Sequence, residues 1–149
     1  MTEQIMRITI IKLRKPAEKD VNNDLQWFSE SLGLFGDRDK EKSCFRVFLE
    51  LIKASRRRKT ISSDELALRS NLSRGTVVHH LHKLQESGFI LTQNNKYILR
   101  VANLESLVAE IKKDLLRTFE DLQEIACELD EELGLIKREN IKSKTVSEE

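Results

Sequence analysis

The 149-residue sequence predicts a mainly α protein of α+β class, and three observations carry that prediction. Charged residues make up 34% and aromatics 5%, with one proline and five glycines, a balance typical of helix-rich chains. Residues 62–99 read as a short capped helix, a tight turn, a second capped helix and a hairpin. From Asn103 to Leu133 an apolar stripe continues without proline or glycine, which predicts one long helix at the C-terminal end.

Taken in order, MRITIIKLR at 6–14 has the β-branched enrichment of a strand, with Met6, Ile8 and Ile10 alternating until Ile11 disturbs them. Pro16 ends it. Val21, Leu25, Phe28 and Leu32 follow at i, i+4, i+7 and i+11, so an amphipathic helix is predicted over 21–34, with Trp27 beside its stripe. GDRDK at 36–40 is a break in which Asp37 or Asp39 suits an N-cap. The next helix, to about Ser55, is expected to bury Cys44, Phe45, Phe48, Leu51 and Ile52. Cys44 and Cys127 lie far apart among helical apolar neighbours, as reduced core thiols do.

Arg56, Arg57, Arg58 and Lys59 form the densest positive run of the chain. Thr60-Ile61 suits a short strand, and Ser62 with Glu65 three residues on forms a capping box opening a helix that buries Leu66 and Ala67. Asn71-Leu72 is the turn. Ser73 then caps a helix over 73–87, and Val77, Leu81 and Leu84 give it one buried face at i, i+4, i+7. Gly88 closes it as a C′ residue. In FILTQNNKYILRV, Asn94-Asn95 tolerate positive φ between two β-rich runs, which is a hairpin.

The face of the 73–87 helix turned away from the core carries Arg74, Thr76, Val78, His79, His82 and Lys83, while His80 falls on the inner side. Charge is distributed to match. Residues 1–52 balance to zero, residues 53–100 to +7 and residues 101–149 to −6, so the middle third has the electropositive footprint of phosphate contact.

The order of these elements, and the string SRGTVVHHLHKLQESGFILTQNNKYILR, resemble the winged helix-turn-helix domain of ArsR-type bacterial and archaeal transcription regulators over roughly residues 43–101. The resemblance implies a double-stranded DNA partner and a recognition helix in the major groove. The Cys-x-Cys metal motif of that family is missing, so metal sensing is not carried over. The wing is short, with Lys96 and Arg100 as its cations.

On this reading Arg74, Thr76, Val78 and His79 contact base edges, Arg74 as a bidentate partner for guanine and Val78 against a thymine methyl. Ser73, His82, Lys83, Lys96, Arg100 and the Arg56, Arg57, Arg58, Lys59 run hold the DNA backbone. His79 and His82 share a helix face, yet no third ligand stands nearby in sequence, so neither metal nor cofactor is expected. Without a phosphate loop, nucleophile elbow or paired carboxylates, no enzyme is expected either. Nothing in the residues identifies a small-molecule effector.

In the last helix Leu104, Val108, Ile111, Leu115, Thr118, Leu122, Ile125 and Leu129 alternate spacings of four and three, the 3.5-residue repeat of a coiled-coil seam, which Leu107, Leu116, Phe119 and Ala126 widen. A homodimer is expected through Leu104, Val108, Ile111, Leu115, Leu122, Ile125 and Leu129. The resulting organisation is a strand-helix extension at 1–36, the winged domain at 37–101, the dimerisation helix at 102–135 and a loose tail at 136–149. No membrane-spanning run and no basic-then-apolar leader at MTEQIMRITI are found, so a cytoplasmic setting is expected. The rival reading is a winged helix used as a protein or RNA interaction module in transcription or replication machinery.

Overall fold

The computed structural model describes residues 5–35 and 42–136. The chain is mainly helical, with a small antiparallel sheet and a long C-terminal helix: α1 (Val21–Ser31), α2 (Ser43–Arg56), α3 (Ser63–Ser70), α4 (Arg74–Glu86), β1 (Ile90–Gln93), β2 (Lys96–Leu99) and α5 (Leu104–Leu133). It divides into two units, Met1–Leu107 and Val108–Glu149, the second made of α5 beyond its first turn and the residues after it. The GDRDK break and its two aspartates, and the tail but for Ile136, lie outside the described residues.

The first unit is built on α2, which packs against α3, α4 and β2, while α3 meets α4 and α4 meets β1. Its core is apolar and closed. Val47, Phe48 and Leu66 are 0% exposed, as are Val77, Leu81, Leu84, Phe89 and Leu107. Each such side chain contributes about 1.5–3 kcal/mol relative to exposure. Phe48 meets Phe89 with ring centroids 6.2 Å apart, joining α2 to the segment that leaves α4. Val47 belongs to this core although it was not among the expected residues; Phe45 and Ile52, which were, are only half-buried.

Local chemistry sets the helix ends. Ser62 Oγ accepts from Glu65 N at 3.1 Å. The Glu65 carboxylate pairs with Arg69 at 3.0 Å, so the box is capped from the serine side and the glutamate braces the helix. Ser73 Oγ accepts from Thr76 N at 3.2 Å and Asn103 Oδ1 from Ser106 N at 2.7 Å. At the other end the five helices among the described residues close alike, with a left-handed residue whose N–H and that of its successor reach back to the last turn. These residues are Gly33, Arg58, Asn71, Gly88 and Gly134.

The hairpin has the predicted turn. Asn94 and Asn95 both take positive φ, 51° and 62°, and the register pairs Gln93 with Lys96, Thr92 with Tyr97, Leu91 with Ile98 and Ile90 with Leu99. Ile61 adds a single antiparallel bridge to Tyr97, so the expected Thr60-Ile61 strand is one residue pair long.

Two expectations for the first 34 residues are corrected. Residues 6–14 form no strand. Their backbone donors go to helix-end carbonyls, Arg7 N to Glu86 O and Ile11 N to Ser31 O, both at 2.8 Å, rather than to the edge of a sheet. The α1 helix stops at Ser31 because Gly33 closes it, and Val21, assigned to its buried stripe, is 79% exposed.

Candidate nucleic-acid interface

The α4 helix has one face in the core and one in solvent. Val77, Leu81 and Leu84 fill the inner face at four- and three-residue spacing, and His80 joins them, 9% exposed, with Nε2 2.6 Å from Ser43 Oγ in a shared hydrogen bond to α2. His80 is therefore a residue of the packing, as its place in the periodicity predicted. His79 and His82 are exposed, the His79 ring meeting that of His80 edge-on at 5.3 Å between centroids.

At 3.6 residues per turn the centre of the exposed face falls on Gly75, His79, His82 and Glu86, spaced four, three and four apart. Arg74 and Val78 flank this line on one side, Thr76 and Lys83 on the other. The predicted base-reading residues thus share the outer half of α4 but not one narrow stripe. Gly75 was missed. A Cβ there would have nothing within 4 Å, so the start of the face is flat and open to close approach. The signal was present, a glycine in the first turn of a capped helix.

Several of these side chains already have partners. Arg74 Nε lies 3.4 Å from Asp64 Oδ1 on α3, both side chains over 70% exposed. An exposed pair of this kind is worth about 0–1 kcal/mol, so Arg74 exchanges partners at little cost. Thr76 Oγ1 sits 2.8 Å from Ser73 Oγ, which also accepts from Thr76 N, so both hydroxyls serve the cap. Val78 is half-buried.

The cations expected to hold a DNA backbone separate into two groups. Lys83 Nζ donates to Gly33 O at 3.0 Å and Arg100 Nη1 to Gly88 O at 3.5 Å, so both tie down parts of the first unit. Arg56, Arg57, Arg58 and Lys59 are exposed at the end of α2, and Lys96 is exposed beside the hairpin turn. Arg57 and Lys59 line a hollow of about 100 Å³ together with Lys53, Arg69, Glu50 and Glu65. Since Asp64, which touches Arg74, is the neighbour of Glu65, α3 carries charged groups that reach both the basic run and the start of α4.

Arg46 was not foreseen. Its guanidinium donates to Ser70 O, and at 3.4 Å to Asn71 O, holding the carbonyls that end α3. It fixes the turn that aims α4, and nothing in sequence periodicity marks a residue 24 positions away as that anchor.

The dimerisation residues fall into two sets. Leu107 and Ile111 are buried and Leu104 and Leu115 half-buried. Leu122, Ile125 and Leu129 are 57%, 53% and 46% exposed, with Phe119 at 58% and Leu133 at 68%. Val108 is also exposed.

Among the described residues no group of three or more His, Cys, Asp or Glu side chains is placed to hold a metal ion, and no helix is long and apolar enough to cross a membrane. Comparison of the chain with family models, with curated proteins and with solved structures finds no match in any of the three.

Proposed function

We propose that this chain is a sequence-specific double-stranded DNA-binding regulator of transcription, a winged helix-turn-helix protein similar to the ArsR type, acting as a homodimer with α4 in the major groove. The observation that carries the reading is the outer half of α4. A capped helix starts with an open glycine, Gly75, and presents Arg74, His79 and His82 to solvent, in the stretch of chain whose charge balance is +7. A major groove about 12 Å wide admits one α-helix, whose first turns meet base edges. Arg74 is the guanine contact, Val78 and His79 complete the reading, and Arg56 to Lys59 with Lys96 hold phosphates. Thr76 supports the cap before it reads a base. In a two-fold pair the half-sites lie about 10 base pairs apart or a multiple of that.

Selection from a random duplex library tests the reading, with a palindrome as the expected product. The logarithm of affinity should also fall steeply with the logarithm of salt, by about 0.9 per phosphate neutralised. Arg74→Ala is expected to relax preference at one position per half-site, costing about 1–3 kcal/mol of discrimination. Uniform weakening on every sequence would instead make Arg74 a backbone contact.

A second reading, an interaction module for protein or RNA, is favoured by a specific observation. Arg74 already faces Asp64, Lys83 and Arg100 hold parts of their own unit, and Leu68 on α3 is 82% exposed. Absence of any enriched duplex would select it.

A further inference from the structure

The loop that leaves α2 turns back over the helix it has just left. Arg57 is the C-cap of α2 and Arg58 takes the left-handed conformation at φ 56°, so that Lys59 N reaches Ala54 O at 3.1 Å. Two residues on, Ile61 is buried and held to Tyr97 by two backbone hydrogen bonds of 2.9 and 2.8 Å. The loop is therefore pinned at both ends. Between it, α2 and α3 lies the hollow of about 100 Å³, lined by four cations, Lys53, Arg57, Lys59 and Arg69, and by two carboxylates, Glu50 and Glu65.

Pairing inside the hollow is uneven. Glu50 Oε1 lies 3.2 Å from Lys53 Nζ and Glu65 Oε1 lies 3.0 Å from Arg69 Nη2, so each carboxylate is already taken. Among the described residues no carboxylate pairs with Arg57 or Lys59. Four cations against two carboxylates leave a balance of +2, and Arg57 stands four residues from Lys53, a spacing at which like charges repel. The negative end of α2 amounts to about half a charge, and the Ala54 and Ser55 carbonyls already accept from the N–H groups of Arg57, Arg58 and Lys59. It does not cancel the balance.

We propose that this hollow binds a phosphate dianion, as inorganic phosphate or as the terminal group of a phosphomonoester, with Arg57 and Lys59 as its direct partners. Size and charge choose the ligand. Water fills about 30 Å³ per molecule in the liquid, so the hollow holds about three waters or one tetrahedral oxyanion, and whatever is esterified to that group stays outside. A phosphomonoester carries about two negative charges at neutral pH and matches the two cations that lack a carboxylate. A carboxylate, or a diester of a duplex backbone, carries one. Arg57 can meet two oxygens with parallel N–H donors, Lys59 adds a point charge, and the Thr60 hydroxyl on the lining adds a neutral donor. The proposal does not need the DNA reading. Only a corollary rests on it: a dianion in the hollow withdraws Arg57 and Lys59 from the duplex backbone, and so weakens duplex binding at constant ionic strength.

Titration of the full chain with sodium phosphate, followed through its amide NMR signals at an ionic strength held constant with sodium chloride, tests the proposal. Saturable shifts are expected at Arg57, Lys59, Thr60 and Arg69, with a dissociation constant on the order of 1 mM at pH 8. At pH 6, where phosphate has taken up a proton, binding should be about three- to tenfold weaker, while sulfate, a dianion throughout, should bind equally at both. No histidine lines the hollow, so this difference reads the ligand. Arg57→Gln with Lys59→Gln is expected to weaken phosphate binding more than about tenfold. Arg56→Gln with Arg58→Gln removes two cations of the same run that do not line the hollow, and should change it less than about twofold. All four positions are exposed, so an unchanged melting temperature shows that the fold is intact.

Equal weakening by the two pairs would reduce the site to the diffuse field of a basic run and overturn the proposal. Shifts that do not saturate, or an affinity for phosphate indifferent to pH, would do the same. So would a chain that ignores inorganic phosphate while Arg57→Gln with Lys59→Gln selectively weakens its duplex binding, which would give the hollow to a backbone diester and leave the DNA reading standing. Phosphate binding as expected by a chain that binds no duplex would sink the DNA reading alone.

Discussion

The helices α4 and α5 begin in the same way and end in the same way, yet they are held by different forces. Each opens on a side-chain cap, Ser73 for α4 and Asn103 for α5, and each closes on a left-handed glycine, Gly88 and Gly134. In α4, 13 residues long, every apolar side chain of the inner face is 0% exposed. In α5, 30 residues long, the apolar side chains from Leu116 on are about half exposed. Helices shorter than about 12–15 residues are marginal alone in water, so α4 exists because α2, α3 and β1 cover it. The α5 helix is long enough to persist on its own backbone hydrogen bonds, helped by ion pairs such as Arg117–Asp114 at 2.9 Å. Caps set where a helix begins, and neighbours decide what its apolar face is for.

Truncation of equivalent leucines gives the widest separation between the two. Leu81→Ala in α4 leaves a cavity in a closed core and is expected to cost about 2–5 kcal/mol, read by urea unfolding followed through the single tryptophan, Trp27. Leu122→Ala in α5 is expected to cost less than about 0.5 kcal/mol at concentrations where the chain is monomeric. Equal losses at the two sites would show that α5 is as dependent on a covered face as α4.

A second pair of substitutions compares helix ends. Gly33 and Gly134 take nearly the same φ, 72° and 70°. A Cβ on Gly33 would lie 2.8 Å from Thr9 Cβ and Cγ2, whereas one on Gly134 would have nothing within 4 Å. Gly134→Ala is therefore expected to cost only the left-handed backbone penalty, about 1–2 kcal/mol of local helix-end stability. Gly33→Ala adds a steric conflict with a β-branched side chain that has little freedom to retreat, for about 2–4 kcal/mol in all. Melting temperatures of the two variants measure the difference, and a Gly33→Ala protein as stable as wild type would show that residues 5–16 do not hold their place against α1.

What could be read from the sequence has the same division. The caps at Ser62 and Ser73, the Asn94-Asn95 turn and the burial of His80 were legible because each depends on residues within about four positions of one another. Residues 6–14 were misread because a strand is defined by a partner edge, and here the available acceptors were the carbonyls ending α4 and α1. The site was legible only as a face. That Lys83 would be occupied by Gly33, 50 residues away, and Arg74 by Asp64, is a matter of tertiary approach, which leaves no periodic trace. The open and closed halves of α5 could not be told apart either, since Ile111 and Ile125 occupy equivalent positions of one repeat.

The smallest expected effect concerns Arg58, where stability and phosphate contact are set against each other. Among the five residues that close helices in the left-handed region, three are glycines and Asn71 is a residue that tolerates it, but Arg58, at φ 56°, is neither. A branched or long L side chain in that region costs about 1–2 kcal/mol, and glycine returns about 0.5–1 kcal/mol of this through the entropy of the unfolded chain. Arg58→Gly is therefore expected to stabilise the first unit by about 0–1.5 kcal/mol while removing one exposed cation of the basic run. If that run holds phosphates, the salt dependence of duplex binding should become shallower by about 0.9 in logarithmic slope as the melting temperature holds or rises. A more stable protein with an unchanged slope would place Arg58 away from the phosphates, and the arginine there would then have no role that a glycine could not fill.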